Sequence, residues 1–361
     1  MLIIKEPKKL KCASFFAGVG GIDIGFEGFG ANKSDVYEIV YANEIDEYPI
    51  KTYELNSSLK VDHRDIKDVV INMESVPDFD VLLAGFPCQA FSIAGYRQGF
   101  NDEKGRGTLF FELLKIIRAK QPSIIFLENV KNLLTHNHGD TFNTIIDALE
   151  KEGYSKPHYK VLNAMDYGNV PQNRERIYIV AFKDPDVSAK FKFPDPIPLT
   201  SKLSDVIEFE CQVDKKYYYT EDRYKENICR ELSQTVTSVD TVYQWRRHYV
   251  RTNMSGVVPT LTANMGEGGH NVPIILGKHG IRKLTPHECF NVQGFPKDFR
   301  LPDSMAESRI YKQAGNSVCV SVISRIAENI FTAIDENETN LTLVVNSGAT
   351  EFSKQKIAKS F

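Results

Sequence analysis

From Cys12 to about Phe182 the chain alternates short apolar runs with amphipathic stretches, the pattern that βαβ units impose on a sequence. Five runs predict strands: CASFFAG, YEIVYANE, FDVLLAGF, SIIFLENV and RIYIVAF. Between them, TLFFELLKIIRAKQ and FNTIIDALEKEG repeat apolar residues at three- and four-residue intervals and predict helices. The fold class read from this is α/β, a doubly wound, mostly parallel Rossmann-like sheet with a smaller, loop-rich second module.

The pattern stops after Phe182. KDPDVSAKFKFPDPIPLT is rich in proline, and the polar, tyrosine-rich segment behind it predicts short strands and long loops up to about Leu276, with Gly266, Gly268 and Gly269 near its end. Modules of that kind usually carry recognition. Apolar periodicity returns from Gly280, and Ser317 to Phe331 predicts a helix that follows a Gly315-Asn316 turn and packs back on the first domain.

Composition changes this picture little. Hydrophobic residues at 42% and charged residues at 25% describe a packed chain rather than a disordered one. No run of about 18 uninterrupted apolar residues is present, and the lysines of MLIIKEPKKLK follow the apolar patch instead of preceding it as in a secretory signal. The chain is therefore expected in the cytoplasm, away from membranes. Cys12, Cys88, Cys211, Cys229, Cys289 and Cys319 form no C-x-x-C pair, which argues against a disulfide framework and a zinc ribbon. A net charge of −3 does not suit a protein that coats nucleic acid, so any basic surface must be local. Arg246, Arg247, His248 and Arg251 lie among aromatics, and Arg282-Lys283 follows.

Five groups of residues carry candidate chemistry. Phe16, Gly18, Gly20 and Gly21 form a glycine turn after the first strand, where backbone can approach a cofactor closely; alone it suits a nicotinamide or flavin equally. Glu44, after the second strand, can bind the ribose hydroxyls of an adenosine, or simply sit at a helix N-terminus. Cys88, in GFPCQAFS, follows a strand end and a proline, an exposed setting in which a thiolate can be stabilised. Glu128, in FLENV, ends another strand, so a thiol and a carboxyl reach one sheet edge, a pairing suited to covalent attack with proton transfer. Arg174 and Arg176, in QNRER, alternate before the last strand and can project to one face to hold an anion or a base carbonyl.

In this order the motifs resemble those of the bacterial DNA (cytosine-5) methyltransferases, over about residues 12 to 331. The resemblance implies S-adenosyl-L-methionine as cofactor and double-stranded DNA as substrate, with no metal. It assigns Cys88, Glu128, Arg174 and Arg176 to catalysis. Phe16, Gly18, Gly20, Gly21, Glu44, Ile45, Asp65, Ile66, Pro87, Leu109, Asn316 and Val318 would bind the cofactor, with Ile45 standing where an aromatic residue is often found beside the adenine. Gln89, Ser92, Arg246, Arg247, Arg251 and Thr260 would meet DNA. Residues 1–190 are expected to form the catalytic and cofactor-binding domain, 191–280 the target-recognition domain, 281–340 a hinge and returning helix organised around Gly294-Phe295-Pro296, and 341–361 a tail. The segment from Tyr243 to Gly266 resembles the recognition region of enzymes that modify the inner cytosine of CCGG or CCNGG type sites. A cognate restriction endonuclease acting on the same site, without a required complex, is the partner such an enzyme implies.

Three rivals remain on the sequence. A cytosine-5 tRNA methyltransferase would use the same scaffold and chemistry. A nicotinamide-dependent oxidoreductase would share the glycine turn but need a hydride acceptor site in place of Pro87-Cys88 and Glu128-Asn129-Val130. A catalytically silent DNA-binding regulator is disfavoured by the presence of both Cys88 and Glu128.

Overall fold

A computed structural model describes residues 9–87, 109–246, 248–265 and 272–337. Its centre is a six-stranded sheet of β1 (Leu10–Phe15), β2 (Tyr37–Asn43), β3 (Val81–Gly85), β4 (Ile124–Val130), β5 (His158–Asn163) and β6 (Glu175–Phe182). The order is β2-β1-β3-β4-β6-β5, with β6 alone antiparallel to its neighbours. Each predicted run overlaps one strand. The sixth, β5, was not predicted: it lies at the sheet's edge, and HYKVLN mixes buried and exposed positions without a clean alternation.

Helices α1 (Gly21–Glu27), α2 (Glu47–Asn56), α3 (Ile66–Ile71), α4 (Leu109–Lys120) and α5 (Asp140–Lys151) accompany these strands. The sheet is buried on both faces, which is why its strands read as continuous apolar runs. Along β3, Leu82 and Ala84 join Leu113, Ile117, Ile145 and Leu149 of α4 and α5 on one face. Val81 and Leu83 join Ile22 and Phe26 of α1 on the other, together with Val322, Ile323, Ile326 and Ile330.

A second sheet contains β7 (Val242–Arg246), β8 (Tyr249–Asn253), β9 (Ile274–Gly277) and β10 (Gly280–Lys283), antiparallel throughout in the order β8-β7-β9-β10. Tyr243, Val250 and Ile274 pack with Leu232 of α6 (Glu226–Thr235). The strand β10 carries this sheet three residues past the boundary expected at residue 280. Within it Arg282 is wholly buried, its two terminal nitrogens each 2.7 Å from a carboxylate oxygen of Glu288 on α7 (Pro286–Asn291). Lys283 lies over the rings of Tyr217 and Tyr311. This pair therefore adds nothing to an exposed basic surface.

The end of the chain also corrects an expectation. Gly315 and Asn316 form no turn; they end α8 (Glu307–Asn316), and the break falls at extended Ser317 before a last helix, α9, at residues 320–337. Glycine stands at 315 because a β-carbon there would lie 2.1 Å from the backbone carbon and oxygen of Thr262. Read as one element, residues 307–337 are long and apolar enough to cross a membrane, yet over half of the most apolar window is buried in the protein, as the apolar face of a core helix is.

Candidate active site

The first four strands of the sheet end together: Phe15 is level with Asn43 and Ala84, and Gly85 with Glu128. The chain runs from β1 to β2 on one side and returns to β3 on the other. Ligands of open α/β sheets bind at the carboxyl edge beside such a reversal.

Glu128 is buried at this edge, with Oε1 3.1 Å from Nε of Arg176. The ladder sets this pair, because Val130 faces Arg176 in the antiparallel register of β4 and β6. The other carboxylate oxygen packs over Gly85, 3.4 Å from where a β-carbon would stand. Asn129 donates from Nδ2 to the carbonyl of Phe86 at 2.7 Å and fixes the turn leading to exposed Pro87. The sequence reading gave Asn129 no separate role, because an amide beside a catalytic carboxyl carries no signal of the partner it will meet. Burial pushes the Glu128 carboxyl above its ordinary range, while Arg176 and then Arg174 pull it back. The group is thus biased toward holding a proton, as a donor must be.

The two arginines separate. Arg174 is 2% exposed. Its Nη1 donates to the carbonyl of Leu261 at 2.8 Å, and its Nη2 to those of Gly315, at 3.0 Å, and Ser317. These three bonds tie the Arg174 guanidinium to backbone carbonyls of two distant segments. Arg174 precedes β6 and turns inward beneath the parallel pairing of Gln172–Asn173 with Val258–Pro259, whereas Arg176 sits within β6 beside Glu128.

The glycine turn also divides. Gly20 is closed by the Tyr53 ring, 2.9 Å from a β-carbon position, and Gly21 by Ser317 and Val318 at 2.7 and 3.0 Å. Both glycines stand in close contacts that an added methyl would fill. At Gly18 (φ +56°) the same position meets nothing within 4 Å. Phe16 holds φ +56°, unusual for an aromatic residue. The Glu44 carboxylate crosses to Gly18, accepting from its amide at 3.0 Å and from the amides of Ile45 and Asp46 at 2.8 and 2.9 Å. Ile45 is exposed beside it, Asp65 caps α3, and Ile66 and Val318 are buried supports. Leu109 begins α4, half-buried, and Asn316 is exposed at the end of α8.

A family model described as C-5 cytosine-specific DNA methylase matches residues 10–332. The chain belongs to this family. It is a cytosine-5 DNA methyltransferase, acting on DNA with a methyl donor. Its relatives include the type II methyltransferase M.Bsp6I of Bacillus sp. (strain RFL6), 56% identical over 90% of this chain and 99% of that protein. The type II methyltransferase M.HaeII of Haemophilus aegyptius is 40% identical over 91% and 95%. The crystal structure of a Spodoptera frugiperda DNMT2 mutant shares the fold, at TM-score 0.65 and 22% identity over 90% of this chain and 100% of that one.

In this methyltransferase Cys88, Gln89, Ser92 and Arg247 lie outside the described residues. Among the five described cysteines, Cys12, Cys289 and Cys319 are buried, and burial pushes all three thiols up. Burial also raises the Cys229 thiol, and a hydrogen bond with Glu208 raises that of Cys211. None of them has the depressed thiol that a nucleophile uses at neutral pH. On the β7–β8 hairpin, Gln244 is level with Arg251 and Arg246 with Tyr249, so these four share the face opposite the one that packs Tyr243 and Val250. Arg246 and Arg251 are exposed there. Thr260, expected at the DNA backbone, donates its hydroxyl to the carbonyl of Asn173 at 2.6 Å.

Proposed function

We propose that this methyltransferase belongs to a type II restriction-modification system, flips a cytosine out of a short G·C-rich duplex site, and transfers a methyl group from S-adenosyl-L-methionine to C5. The reading is carried by the buried Glu128–Arg176 pair standing over the Gly85-Phe86-Pro87 turn that leads directly to Cys88. The names of its relatives, type II methyltransferases at 56% and 40% identity, support the restriction-modification setting and disfavour the tRNA alternative. It would protect host DNA in the cytoplasm from an endonuclease that acts on the same site independently.

The edge fits the donor. Gly18 leaves open space under a positive φ, and the Glu44 carboxylate uses three of its roughly four acceptor positions on backbone amides, leaving one for a ribose hydroxyl. Ile45, Asp65, Pro87, Leu109 and Asn316 would complete the site. When bound, the donor supplies an electrophilic methyl group on sulfonium.

A stacked cytosine cannot present C6 to a thiol, so the base must leave the duplex, at a cost of a few kcal/mol that recognition contacts offset. Cys88 thiolate then adds to C6 while protonated Glu128 donates to N3 and accepts from the exocyclic amine through its other oxygen, with Arg176 at the base carbonyl. Electron density moves to C5, which becomes the nucleophile for methyl transfer. Loss of the C5 proton and elimination of Cys88 restore the aromatic ring and release the thiolate.

Residues 191–280 would form the recognition domain and 281–340 the hinge and returning helix, with Arg246, Arg247 and Arg251 offering paired donors to guanine O6 and N7. The finer assignment, a CCGG or CCNGG type site, rests on the resemblance of Tyr243 to Gly266 to that recognition region. Bisulfite sequencing of DNA from a host expressing the chain tests both levels. One modified cytosine in a fixed G·C-rich context supports the reading, a context other than CCGG or CCNGG removes the finer assignment, and methylated tRNA with unmodified DNA overturns the whole.

A further inference from the structure

We propose that Arg174 is a positioning residue that couples the DNA-recognition segment to the donor side of the active site, so that DNA and methyl donor raise one another's affinity. The inference rests on the reading of Asn316 and Val318 as donor-side residues.

Arg174 is anchored on the catalytic sheet. Its amide donates to Oδ1 of Asn163, and its carbonyl accepts from the amide of Ala164, both at 3.0 Å. From this post its guanidinium holds two other segments at once: Leu261, next to the Thr260 that is tied to Asn173, and Gly315 and Ser317, which flank Asn316. Those segments touch backbone to backbone, since a β-carbon at 315 would strike Thr262. A displacement of residues 260–263 when DNA is engaged therefore reaches 315–317 through one side chain. Two residues further along, Arg176 touches Glu128.

The junction is built of buried polar groups rather than apolar ones. Gln172, Arg174 and Gln293 are each at most 2% exposed. Gln172 donates to the carbonyl of Val292 at 3.2 Å, and Gln293 to that of Ala314. Each also keeps one unpaired atom, Oε1 of Gln172, Nε of Arg174 and Oε1 of Gln293, and these are three of the four such atoms among the described residues. A buried polar atom without a partner is costly, so a cluster of three needs a reason. The segments are thus joined through polar side chains bonded to backbone carbonyls, a contiguous network through which a shift of one can be passed to the others.

The test titrates S-adenosylhomocysteine into the full chain with and without a duplex carrying the mapped site, for wild type, R174K and R174M. Wild type should show coupling of about fivefold or more, equal in both directions of the cycle. In R174K, which keeps the charge but cannot reach all three carbonyls, coupling should fall toward one while each ligand still binds alone. The donor KM at saturating DNA should rise more than kcat falls; a purely structural defect would move both. If R174M does not fold, R174K decides. Wild-type coupling retained in folded R174K overturns the inference, as does a wild type that binds both ligands independently. A wild type that binds no S-adenosylhomocysteine at all removes the donor reading itself, a distinguishable result.

Discussion

Arg176 approaches Glu128 within 3.1 Å, inside the sheet edge where one strand supplies the carboxyl and its antiparallel neighbour the guanidinium. Because the carboxyl is buried, the pair sets a balance: burial favours the protonated acid, and the arginine favours the carboxylate.

Replacing Glu128 by Gln keeps the shape and removes the transferable proton. Single-turnover methylation should slow by a factor on the order of 10² or more, while calorimetry should find donor binding unchanged. Loss of donor binding at an undiminished chemical rate would move Glu128 out of the catalytic group.

Removing Arg176 tilts the balance. In Arg176→Met, burial acts on Glu128 with less opposition, so its carboxyl rises further and stays protonated to higher pH. The rate should fall, since the base carbonyl loses its partner, but the alkaline limb of the single-turnover pH profile should move up. A downward shift of that limb would mean that another group controls it.

For Cys88→Ala, methyl transfer should vanish while specific duplex binding persists, because the thiol acts only after the base is flipped. A duplex with 5-fluorocytosine at the target should trap wild-type enzyme, fluorine being unable to leave as a proton. Peptide mapping that locates the adduct on any other cysteine would sink the assignment.

Asp23 accepts from Ser14 and Tyr53 beneath the glycine turn, yet burial, against the pull of both hydrogen bonds, lifts its carboxyl up to about 6. The native state then holds this proton more tightly than the unfolded chain does. The resulting stability is fully present below about pH 4 and is lost as pH rises through about 6. Asp23→Asn should remove that dependence. Urea denaturation at pH 4.5 and 7.5 should show wild type losing stability relative to the variant by an amount on the order of 2 kcal/mol. Parallel profiles would exclude Asp23 as the source.

Two glycines make a paired prediction. At Gly18 an added methyl enters open space under a positive φ, so Gly18→Ala should cost about 1 kcal/mol of stability while donor KM rises at least tenfold. At Gly315 the same methyl meets the backbone of Thr262, so Gly315→Ala should lower the melting temperature by far more. Equal losses in thermal melts would show that neither site behaves as its surroundings dictate.

The sequence by itself determined the five buried strands, the two helices α4 and α5 and the motif order, because burial on both faces of a sheet and on one face of a helix each leaves a short-range period. It also determined which residue types reach the carboxyl edge, since a motif at the end of an apolar run must sit there. The edge strand β5 left a weak period and was missed. What only the tertiary structure decided was the different surroundings of similar residues. Arg174 and Arg176 look equivalent in QNRER, but the pairing of Gln172–Asn173 with Val258–Pro259, over eighty residues away, turns one into the junction and leaves the other beside Glu128. Gly18, Gly20, Gly21 and Gly315 look alike as glycines, and only their neighbours separate an open cradle from a close contact. The hydroxyl of Thr260 and the guanidinium of Arg282 each meet a partner, Asn173 and Glu288, that the local sequence does not announce. Each of these depends on a partner distant in the chain, and a hydrogen bond or a contact at a few ångströms leaves no trace in local periodicity.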